Sequence, residues 1–417
     1  MRVWTFSMWC ATAATCVSLF TVATNARRAA TRPDEVTSPQ AGQQIFRYDT
    51  FGDEQFWTGV LRMNEPLASV SPAAALAVGL KVDLDALPPG IVGGLRAGTV
   101  DLDNPAVTLE LLRLDAVVGV RASVDGGTIT KVGVTCALCH SSVDDALTAG
   151  VGHRLDGWAN TDLDVGRIVS LSPALDELTK AEFLKWGPGR YDPRHHAFDG
   201  AQLLSLNSPS IPVVLPPIYG LKHVGFETYT ADGPISYWNR YVAVTQMGGH
   251  GSFEDERIDL SVTQTPDLVA PKLAALLAYQ KTLHAPGPGP HVVDRTAAAR
   301  GKKLFDDRAR CSSCHVPPHF TDVLGGPDPS VPVLHDAEET GMDPAYALRS
   351  ATARSAPDGP RARYRTTPLR GLLQHAPYFH DGSAANLPAV VDHYDRRLEL
   401  HLSAQEKADL AEYLKTL

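Results

Sequence analysis

Basic residues are in short supply in this chain of 417 residues, which has 38 Lys and Arg against 47 Asp and Glu and a formal net charge of -9. A surface of this sign argues against nucleic acid and anionic membrane as partners, and it favours a basic protein partner. Long apolar runs are also absent after the first 26 residues. The remaining sequence therefore offers no second candidate for a membrane-spanning segment.

Cysteine is scarce as well, because the chain has 6 and only Cys10 and Cys16 lie outside two pentapeptides, CALCH and CSSCH. A C-x-x-C-H motif is typical of covalent haem attachment. Two thiols three residues apart on a helical turn face the same way and can bond to the two vinyl groups of one porphyrin, and the histidine then lies under the iron. The sequence therefore predicts two haem c groups, held by Cys136, Cys139, His140, Cys311, Cys314 and His315.

Other uses of the C-x-x-C spacing are a pair of zinc ligands or a redox dithiol, and two such pairs could form one zinc site. A histidine follows the second cysteine in both motifs. This repeated histidine favours haem over zinc.

The first 26 residues have the pattern of an export signal. Arg2 is the only charged residue before Arg27, an apolar stretch runs from residue 3 to about residue 23, and small residues at 24–26 are suited to cleavage. Cleavage would leave four cysteines, all assigned to haem, and would lower the net charge by one. Export to the periplasm agrees with c-type haem attachment, which is completed outside the cytoplasm.

An uncleaved membrane anchor is the main alternative for this segment, because the apolar stretch is long enough to span a bilayer. A lipid on Cys16 is disfavoured, because Ala13 stands where a leucine is expected.

The length and the two motifs predict a mainly α protein with two cytochrome c-type haem domains and an N-terminal extension. We expect the extension over 27–130, the first haem domain over 131–285 and the second over 286–417. The Pro- and Gly-rich run at 285–290 cannot form helix or strand and is predicted to link the two haem domains. The extension is expected to pack over the first haem without chemistry of its own.

Local patterns predict several elements. A helix over about 294–306 leads into CSSCH, and Ser403 caps a final helix. A turn is expected at Pro88-Pro89-Gly90. The Pro-, Gly- and Asp-rich stretch from 321 to 363 has little periodicity and is predicted to be a long surface loop.

The segment over 365–395, RTTPLRGLLQHAPYFHDGSAANLPAVVDHYD, together with GKKLFDDRARCSSCH before it, makes the chain recognisable. This ordered signature closely resembles the C-terminal domain of the bacterial di-haem cytochrome c peroxidase and MauG-type superfamily. The first haem domain matches weakly, at Asn207 to Ser210 and at Gln246 to Gly248. The extension is not covered by the resemblance.

The resemblance implies an axial ligand for the second haem. Tyr394 stands where the peroxidases have a methionine and MauG-type enzymes have a tyrosine. A phenolate stabilises ferric iron, so this ligand should lower the reduction potential of the second haem. Three alternatives stay open: Tyr394 only packs on the last helices, His393 is the ligand instead, or His380 in HDG orients a neighbour through a hydrogen bond.

For the first haem, the resemblance implies His140 as proximal ligand and an open distal face. Gln246 occupies the position of the superfamily's catalytic acid, and an amide cannot act as a general acid at neutral pH. His153 could be a sixth ligand in a resting state, or it could make only a local hydrogen bond. Four residues on nearby loops could substitute for the acid: Glu227, Asp232, Glu254 and His250.

The superfamily also uses an aromatic ring between its haems to pass electrons. Counting back from Gln246 gives Phe226, but phenylalanine is hard to oxidise, so Tyr229 or Trp238 is preferred; each could instead be core packing.

The resemblance further implies a calcium ion between the domains. Its ligands would be Asn207 and the backbone oxygens of His375 and Pro377, because amide and carbonyl oxygens suit this hard cation.

Taken together, the patterns predict an exported di-haem oxidoreductase of the cytochrome-c peroxidase type. The first haem would activate hydrogen peroxide or oxygen, electrons would pass through the second haem, and a small redox protein or another donor would supply them. A homodimer is compatible with this class. The alternatives are an electron-transfer cytochrome without turnover and a dioxygenase like the rubber oxygenases, which lack the distal acid but are longer than this chain.

Overall fold

The computed structural model describes residues 37–194, 198–199, 202–203 and 209–417. Helix accounts for 38% and strand for 12%, so the mainly α prediction is confirmed. The division into two haem domains stays a prediction. The predicted export signal, Cys10, Cys16 and Asn207 lie outside the described residues.

Within the described ranges, no helix combines the length and the apolar character needed to cross a membrane.

Most helices are short, and several begin with a proline after a capping side chain. Ser38, Ser71 and Asn104 each accept a backbone N–H of the first turn, where orphan donors need partners. The helices are α1 (Pro39–Tyr48), α2 (Asn64–Leu67), α3 (Pro72–Ala77), α4 (Pro89–Arg96), α5 (Pro105–Arg113), α6 (Ala137–His140), α7 (Val165–Val169), α8 (Glu177–Phe183), α9 (Ile235–Tyr241), α10 (Leu273–Gln280), α11 (Arg295–Asp306), α12 (Ala337–Thr340), α13 (Ala345–Leu348), α14 (Ala351–Arg354), α15 (Leu387–Arg397) and α16 (Ala404–Leu414).

Single helical turns of other types complete the helical part. Two are π-helical, Gln55–Val60 and Val242–Gln246. The 3-10 turns are Leu84–Ala86, Glu256–Ile258, Ala270–Lys272, Cys311–Ser313 and Leu372–Gln374.

The strands of the described residues pair only in twos. The longest ribbon is β2 (Val120–Asp125) with β3 (Thr128–Val134), which ends directly before the first motif. β1 (Val82–Asp83) pairs in parallel with β5 (Val151–Gly152). The other pairs are antiparallel: β4 (Ser141–Val143) with β6 (Arg154–Asp156), β7 (Arg190–Tyr191) with β10 (Val213–Val214), β8 (Phe198–Asp199) with β9 (Gln202–Leu203), β11 (Phe226–Glu227) with β12 (Gly233–Pro234), β13 (Phe253–Asp255) with β14 (Leu260–Val262), and β15 (His335–Asp336) with β16 (Arg363–Tyr364).

One apolar core joins the N-terminal region to the first motif. It extends from Phe46 to Tyr279 and includes Leu138 between the two cysteines of CALCH. The indole Nε1 of Trp57 donates to the carbonyl of Met247 at 2.9 Å, which ties the region before the motif to the region after it. The first motif is therefore enclosed by chain from both sides of it.

A second core forms around the second motif. α11 and α16 pack against each other through Phe305, Leu410 and Tyr413. Ser403 and Glu406 make a reciprocal capping box at the start of α16. The two helices predicted for this region are confirmed.

Gly301 lies where α11 and α16 cross, and Gly301→Ala is expected to destabilise the protein. A Cβ at this position would lie 1.9 Å from the Asp409 carbonyl oxygen and 2.9 Å from Tyr413 Cβ, and the backbone cannot move freely. We expect a loss of about 2–4 kcal/mol in the free energy of unfolding, more than the ~1 kcal/mol that alanine gains in helix propensity. Denaturant unfolding would measure it.

The matched control is Gly93→Ala in α4, because a Cβ there meets nothing within 4 Å. This variant should be neutral or stabilised by up to about 1 kcal/mol. Equal unfolding midpoints for the two variants would contradict the close helix crossing.

Two local predictions are wrong. The expected turn at Pro88-Pro89-Gly90 is instead the start of α4, because proline is well suited to the first helical position. The expected surface loop over 321–363 contains β15 and the three helices from Ala337 to Arg354. Its Tyr346 is 1% exposed and packs with Val213 and Tyr364 in a small core. The run over 285–290 has neither helix nor strand, as predicted, and its role as a linker between two haem domains stays a prediction.

Candidate functional site

Both C-x-x-C-H motifs open into the same cavity. Its volume is about 690 Å³, within the range of about 300–1,000 Å³ usual for cofactor and ligand pockets. Most of the other lining side chains are apolar, among them Trp57, Trp238, Leu372, Val391 and Leu410. The motif residues that line it are Cys136, Cys139, His140, Cys311, Cys314 and His315.

In the first motif, α6 directs His140 toward the chain over 213–218. The ring Nδ1 of His140 donates to the Pro216 carbonyl at 3.1 Å, which leaves Nε2 as the acceptor nitrogen. Burial lowers the pKa of His140 to about 4, so the ring is neutral at physiological pH. A neutral imidazole with its second nitrogen bonded to a carbonyl is the usual state of a metal-ligating histidine.

The second motif repeats this arrangement. His315 Nδ1 donates to the Phe320 carbonyl at 3.1 Å, and burial lowers the pKa of His315. In both motifs Nδ1 of the histidine therefore donates to a backbone carbonyl, although α6 carries the first motif and a 3-10 turn carries the second.

The cysteine environment bears on the zinc and dithiol alternatives. Burial raises the pKa of Cys136 and Cys139 to about 12 and that of Cys311 to about 11. Reactive dithiols and thiolate metal ligands instead need surroundings that favour the thiolate. Partly buried thiols beside an apolar cavity and an oriented histidine fit covalent haem attachment better.

Tyr394 and His393 are adjacent on α15 but face different surroundings. Tyr394 lines the cavity, and its phenolic oxygen makes no hydrogen bond to any described residue; burial raises its pKa. His393 lies outside this cavity, and its Nε2 donates to the Thr340 carbonyl at 2.9 Å. Of the two predicted ligands, the geometry therefore favours Tyr394.

His380 lines the cavity between the two motifs and is 4% exposed. Its Nε2 is 3.1 Å from the hydroxyl oxygen of Tyr364, and the two rings stack with centroids 4.6 Å apart. Because the Tyr364 hydroxyl donates to the Asp343 carbonyl at 2.6 Å, His380 is the donor in its bond to Tyr364. The predicted alternative of an orienting histidine is compatible with these contacts.

Gln246 ends the π-helical turn after α9 and lines the cavity. Its Oε1 accepts from the Tyr191 hydroxyl and its Nε2 donates to Thr245 Oγ1, both at 2.9 Å. The amide is therefore held in a fixed orientation. π-helical turns recur at functional sites.

Three of the four predicted substitutes for the missing acid lie away from the cavity. Asp232 pairs with Arg194, Glu254 is exposed beside Ser261, and His250 contacts Gln55.

Glu227 is the substitute that lines the cavity. It is 8% exposed, and its Oε2 lies 3.1 Å from Arg365 Nη2, while its Oε1 has no hydrogen-bond partner among the described residues. Burial raises the pKa of Glu227 to about 6, against the lowering effect of Arg365. A carboxyl with this pKa can exchange a proton near neutral pH.

The predicted sixth ligand His153 lies elsewhere. Its Nδ1 is 2.9 Å from Asp85 Oδ1, and its side chain is 53% exposed. This surface position contradicts a role at the first haem.

Of the three aromatic candidates for passing electrons, Tyr229 and Trp238 line the cavity, whereas Phe226 packs in a small separate core. Trp238 lies on the side of the first motif, with Tyr241 in its core and Arg194 over its ring at 5.7 Å. The Tyr229 ring lies 6.1 Å from the His380 ring, which lines the same cavity.

A continuous path of bonds and hydrogen bonds connects the two motif histidines through Tyr229. From the Pro216 carbonyl bonded to His140, the chain runs back to Val214, whose carbonyl accepts from the Tyr229 hydroxyl at 3.1 Å. The Tyr229 carbonyl accepts from the Arg365 backbone N–H at 2.9 Å.

The second half of this path starts at the next residue. The Thr366 carbonyl accepts from Thr321 Oγ1 at 2.6 Å. Thr321 follows Phe320, whose carbonyl accepts from Nδ1 of His315. The path joins elements far apart in sequence, so the sequence alone gives no signal for it.

The predicted calcium site is incompletely described. His375 and Pro377 line the cavity, but Asn207 lies outside the described residues. Calcium therefore stays a prediction.

A cluster of possible metal ligands beside the second motif is not predicted from the sequence. The ligand atoms of Cys314, Asp322 and His335 lie within 4.8 Å of one another, and His335 Nε2 is 2.8 Å from Asp322 Oδ2. Asp322 and His335 belong to the stretch predicted to be a surface loop, where no regular pattern indicates a site. Because Cys314 belongs to the haem motif, we treat the cluster as part of that attachment site.

Comparison with family models gives no match. Curated relatives do match. MauG of Methylorubrum extorquens is 33% identical over 166 residues, covering 34% of this chain and 43% of that protein. The cytochrome-c peroxidase IdrP1 of a Pseudomonas species is 32% identical over 156 residues, covering 29% of this chain and 40% of that protein. The chain thus spans less than half the length of these relatives.

Two solved structures are similar at low scores. One is a MauG-like protein associated with microbial copper homeostasis, with 26% identity, a TM-score of 0.29 and coverage of 37% of this chain and 55% of that chain. The other is hydrazine synthase of Kuenenia stuttgartiensis, with 22% identity, a TM-score of 0.31 and coverage of 51% and 75%. The curated matches confirm the predicted resemblance and relate the chain to the MauG and cytochrome c peroxidase-type superfamily.

Proposed function

We propose that this chain is an exported di-haem c-type oxidoreductase, which uses hydrogen peroxide or oxygen at the first motif and exchanges electrons with the second. The observation that carries the proposal is the single cavity that both motifs line. Glu227 and Gln246 offer a proton-exchanging group and a fixed amide, whereas Tyr394 offers a phenol near the second motif. The names of the curated relatives, MauG and cytochrome-c peroxidase, support the same class.

When bound, the two haems would supply the redox-active iron for this chemistry. The cysteines of each motif would hold one haem through thioether bonds, and His140 and His315 would be the proximal ligands. The bonds to Pro216 and Phe320 fix both rings in the tautomer that ligation requires.

Proton transfer is assigned to Glu227 at its free Oε1. The carboxyl is protonated below a pH of about 6 and can then donate a proton into the cavity. Arg365 holds the other oxygen and so fixes the direction of the free one. Gln246 cannot donate as an acid, but its second amide N–H can orient a bound oxidant.

Electron exchange is assigned to Tyr229. We expect Tyr229→Phe to slow electron exchange between the haems on the order of tenfold, which corresponds to about 1.4 kcal/mol of barrier. The variant removes the hydroxyl bond to Val214 and leaves a ring that is harder to oxidise. Stopped-flow reduction followed at both haems would measure the rate.

Trp238→Phe provides the comparison, because Trp238 lines the same cavity without bridging to the second motif. If Trp238→Phe slows exchange and Tyr229→Phe does not, the role passes to Trp238.

The proposed function is tested on the purified holoprotein. Haem analysis should give two haem c per chain, and peroxide should be consumed with a reduced small basic cytochrome as donor. Oxygen uptake with a hydrophobic alkene, without peroxide turnover, would assign the chain to the oxygenases instead. Six-coordinate spectra that no added ligand changes, at both haems, would indicate an electron-transfer protein and contradict turnover.

A further inference from the structure

In the buried pair of Glu227 and Arg365, one guanidinium nitrogen of Arg365 has no hydrogen-bond partner among the described residues. Three of the bonds that fix Arg365 are visible: Nη2 to Glu227 at 3.1 Å, Nε to the Thr228 carbonyl, and the backbone N–H to Tyr229 at 2.9 Å. The third nitrogen, Nη1, is buried and has no hydrogen-bond partner among the described residues. Arg365 is 9% exposed and lines the cavity.

A second unused donor lies beside it. The hydroxyl of Thr228 is buried and also lacks a hydrogen-bond partner in the described part of the chain, and Thr228 lines the same cavity. Its φ is 60°, in the left-handed region that β-branched residues rarely adopt. Two buried donors, one of them charged, thus lack an acceptor at the same place.

A buried donor without an acceptor is costly, and a charged one is more so. A guanidinium with a free N–H edge and a neighbouring hydroxyl forms a suitable site for a carboxylate, because charge-assisted hydrogen bonds to carboxylates are strong. Glu227 already neutralises Arg365 through Nη2, so the new acceptor would share the arginine with it.

The haems of the proposed function would bring such carboxylates into the cavity. Each haem c is joined to its cysteines through its vinyl groups and carries two propionates on another edge. These anionic groups must therefore lie away from the cysteines. Arg365 and Thr228 line the same cavity as both motifs, and the Arg365 backbone N–H bonds to Tyr229 on the path that joins the two motif histidines.

We propose that Arg365 Nη1 and Thr228 Oγ1 bind a haem propionate in the cavity that both motifs line. This proposal rests on the proposed function in one respect only, because it requires that the haems are bound. The site would fix the orientation of that haem and offset the negative charge of its propionate, which favours the reduced form. Arg365 and Thr228 are positioning residues in this role.

The test uses the holoprotein with haem content verified at two per chain. Arg365→Gln should lower the reduction potential of one haem and shift the propionate-bending band of that haem in resonance Raman spectra. Arg365→Lys should restore part of the potential. The haem whose band moves identifies the source of the carboxylate. Arg361→Gln is the control, because it removes the same charge outside the cavity. Arg361 is exposed and pairs with Asp336 at 3.1 Å.

Thr228→Val keeps the ion pair and nearly the same volume, and it remains informative if Arg365→Gln does not fold. It should shift the same propionate band by a smaller amount. Unchanged bands in both variants would overturn the proposal, as would a change in potential without a change in the band, because a distant charge could cause that. Peroxide turnover does not enter these measurements, so failure here is distinct from failure of the proposed function.

Discussion

Replacing Glu227 with glutamine is expected to lower peroxide turnover by about 10²- to 10⁴-fold, the usual contribution of a positioned general acid or base. Glutamine keeps the shape and the acceptor for Arg365 but has no acidic proton. In the unaltered protein, the acid-dependent rate should fall as pH rises through about 6, because burial raises the pKa of Glu227 to about 6 and only the protonated form donates. Steady-state rates measured between pH 4.5 and 8 should show this fall in the unaltered protein and no such fall in Glu227→Gln.

Glu254→Gln is the matched control. Glu254 lies on β13, is exposed and makes only long contacts to Ser261 and Thr263. Its replacement should leave both the rate and the pH profile unchanged. If Glu227→Gln keeps the full rate and the same pH limb, another group transfers the proton.

Tyr394→Met is expected to raise the reduction potential of the second haem on the order of 0.1 V or more, within the ~0.8 V that axial ligands span. An anionic phenolate favours ferric iron, whereas a thioether favours ferrous iron. Ligation must also overcome the raised pKa of the buried phenol, so the native ligand bond should weaken as pH falls. Spectroelectrochemical titration of both haems would measure the change.

Tyr413→Phe controls for the loss of a buried tyrosine near the same motif. Tyr413 packs on Phe305 with ring centroids 5.2 Å apart but does not line the cavity. The second haem should keep its potential in this variant. An unchanged potential and spectrum in Tyr394→Met would remove Tyr394 from the ligands.

The parts of the fold that local patterns determine could be predicted from the sequence. The helix before CSSCH begins at a capping aspartate, Asp294, and the last helix begins at the capping box of Ser403. The stretch over 321–363 could not be predicted, because its buried Tyr346 is held by distant residues and its helices are four residues long. Such helices have too few turns to show a period.

The residues of the candidate site also differ in how far the sequence predicts them. The six motif residues follow from two short patterns, and Tyr394 follows from a resemblance. Glu227 appeared only as one of four substitutes, because the sequence does not tell which side chain faces the cavity. Arg365 lies inside the recognised signature, yet its partner Glu227 is 138 residues away in the chain, so only the fold shows the pair.

The path from His140 to His315 through Tyr229 has a consequence for how the protein would be measured. A change of charge at one iron alters the donor strength of its histidine, and this path connects that histidine to the other one through bonds and hydrogen bonds. Sites that interact this way titrate together, and each apparent midpoint then belongs to the pair. With both haems bound, reduction of one iron should therefore shift the apparent midpoint of the other, and replacing Tyr229 should weaken this coupling.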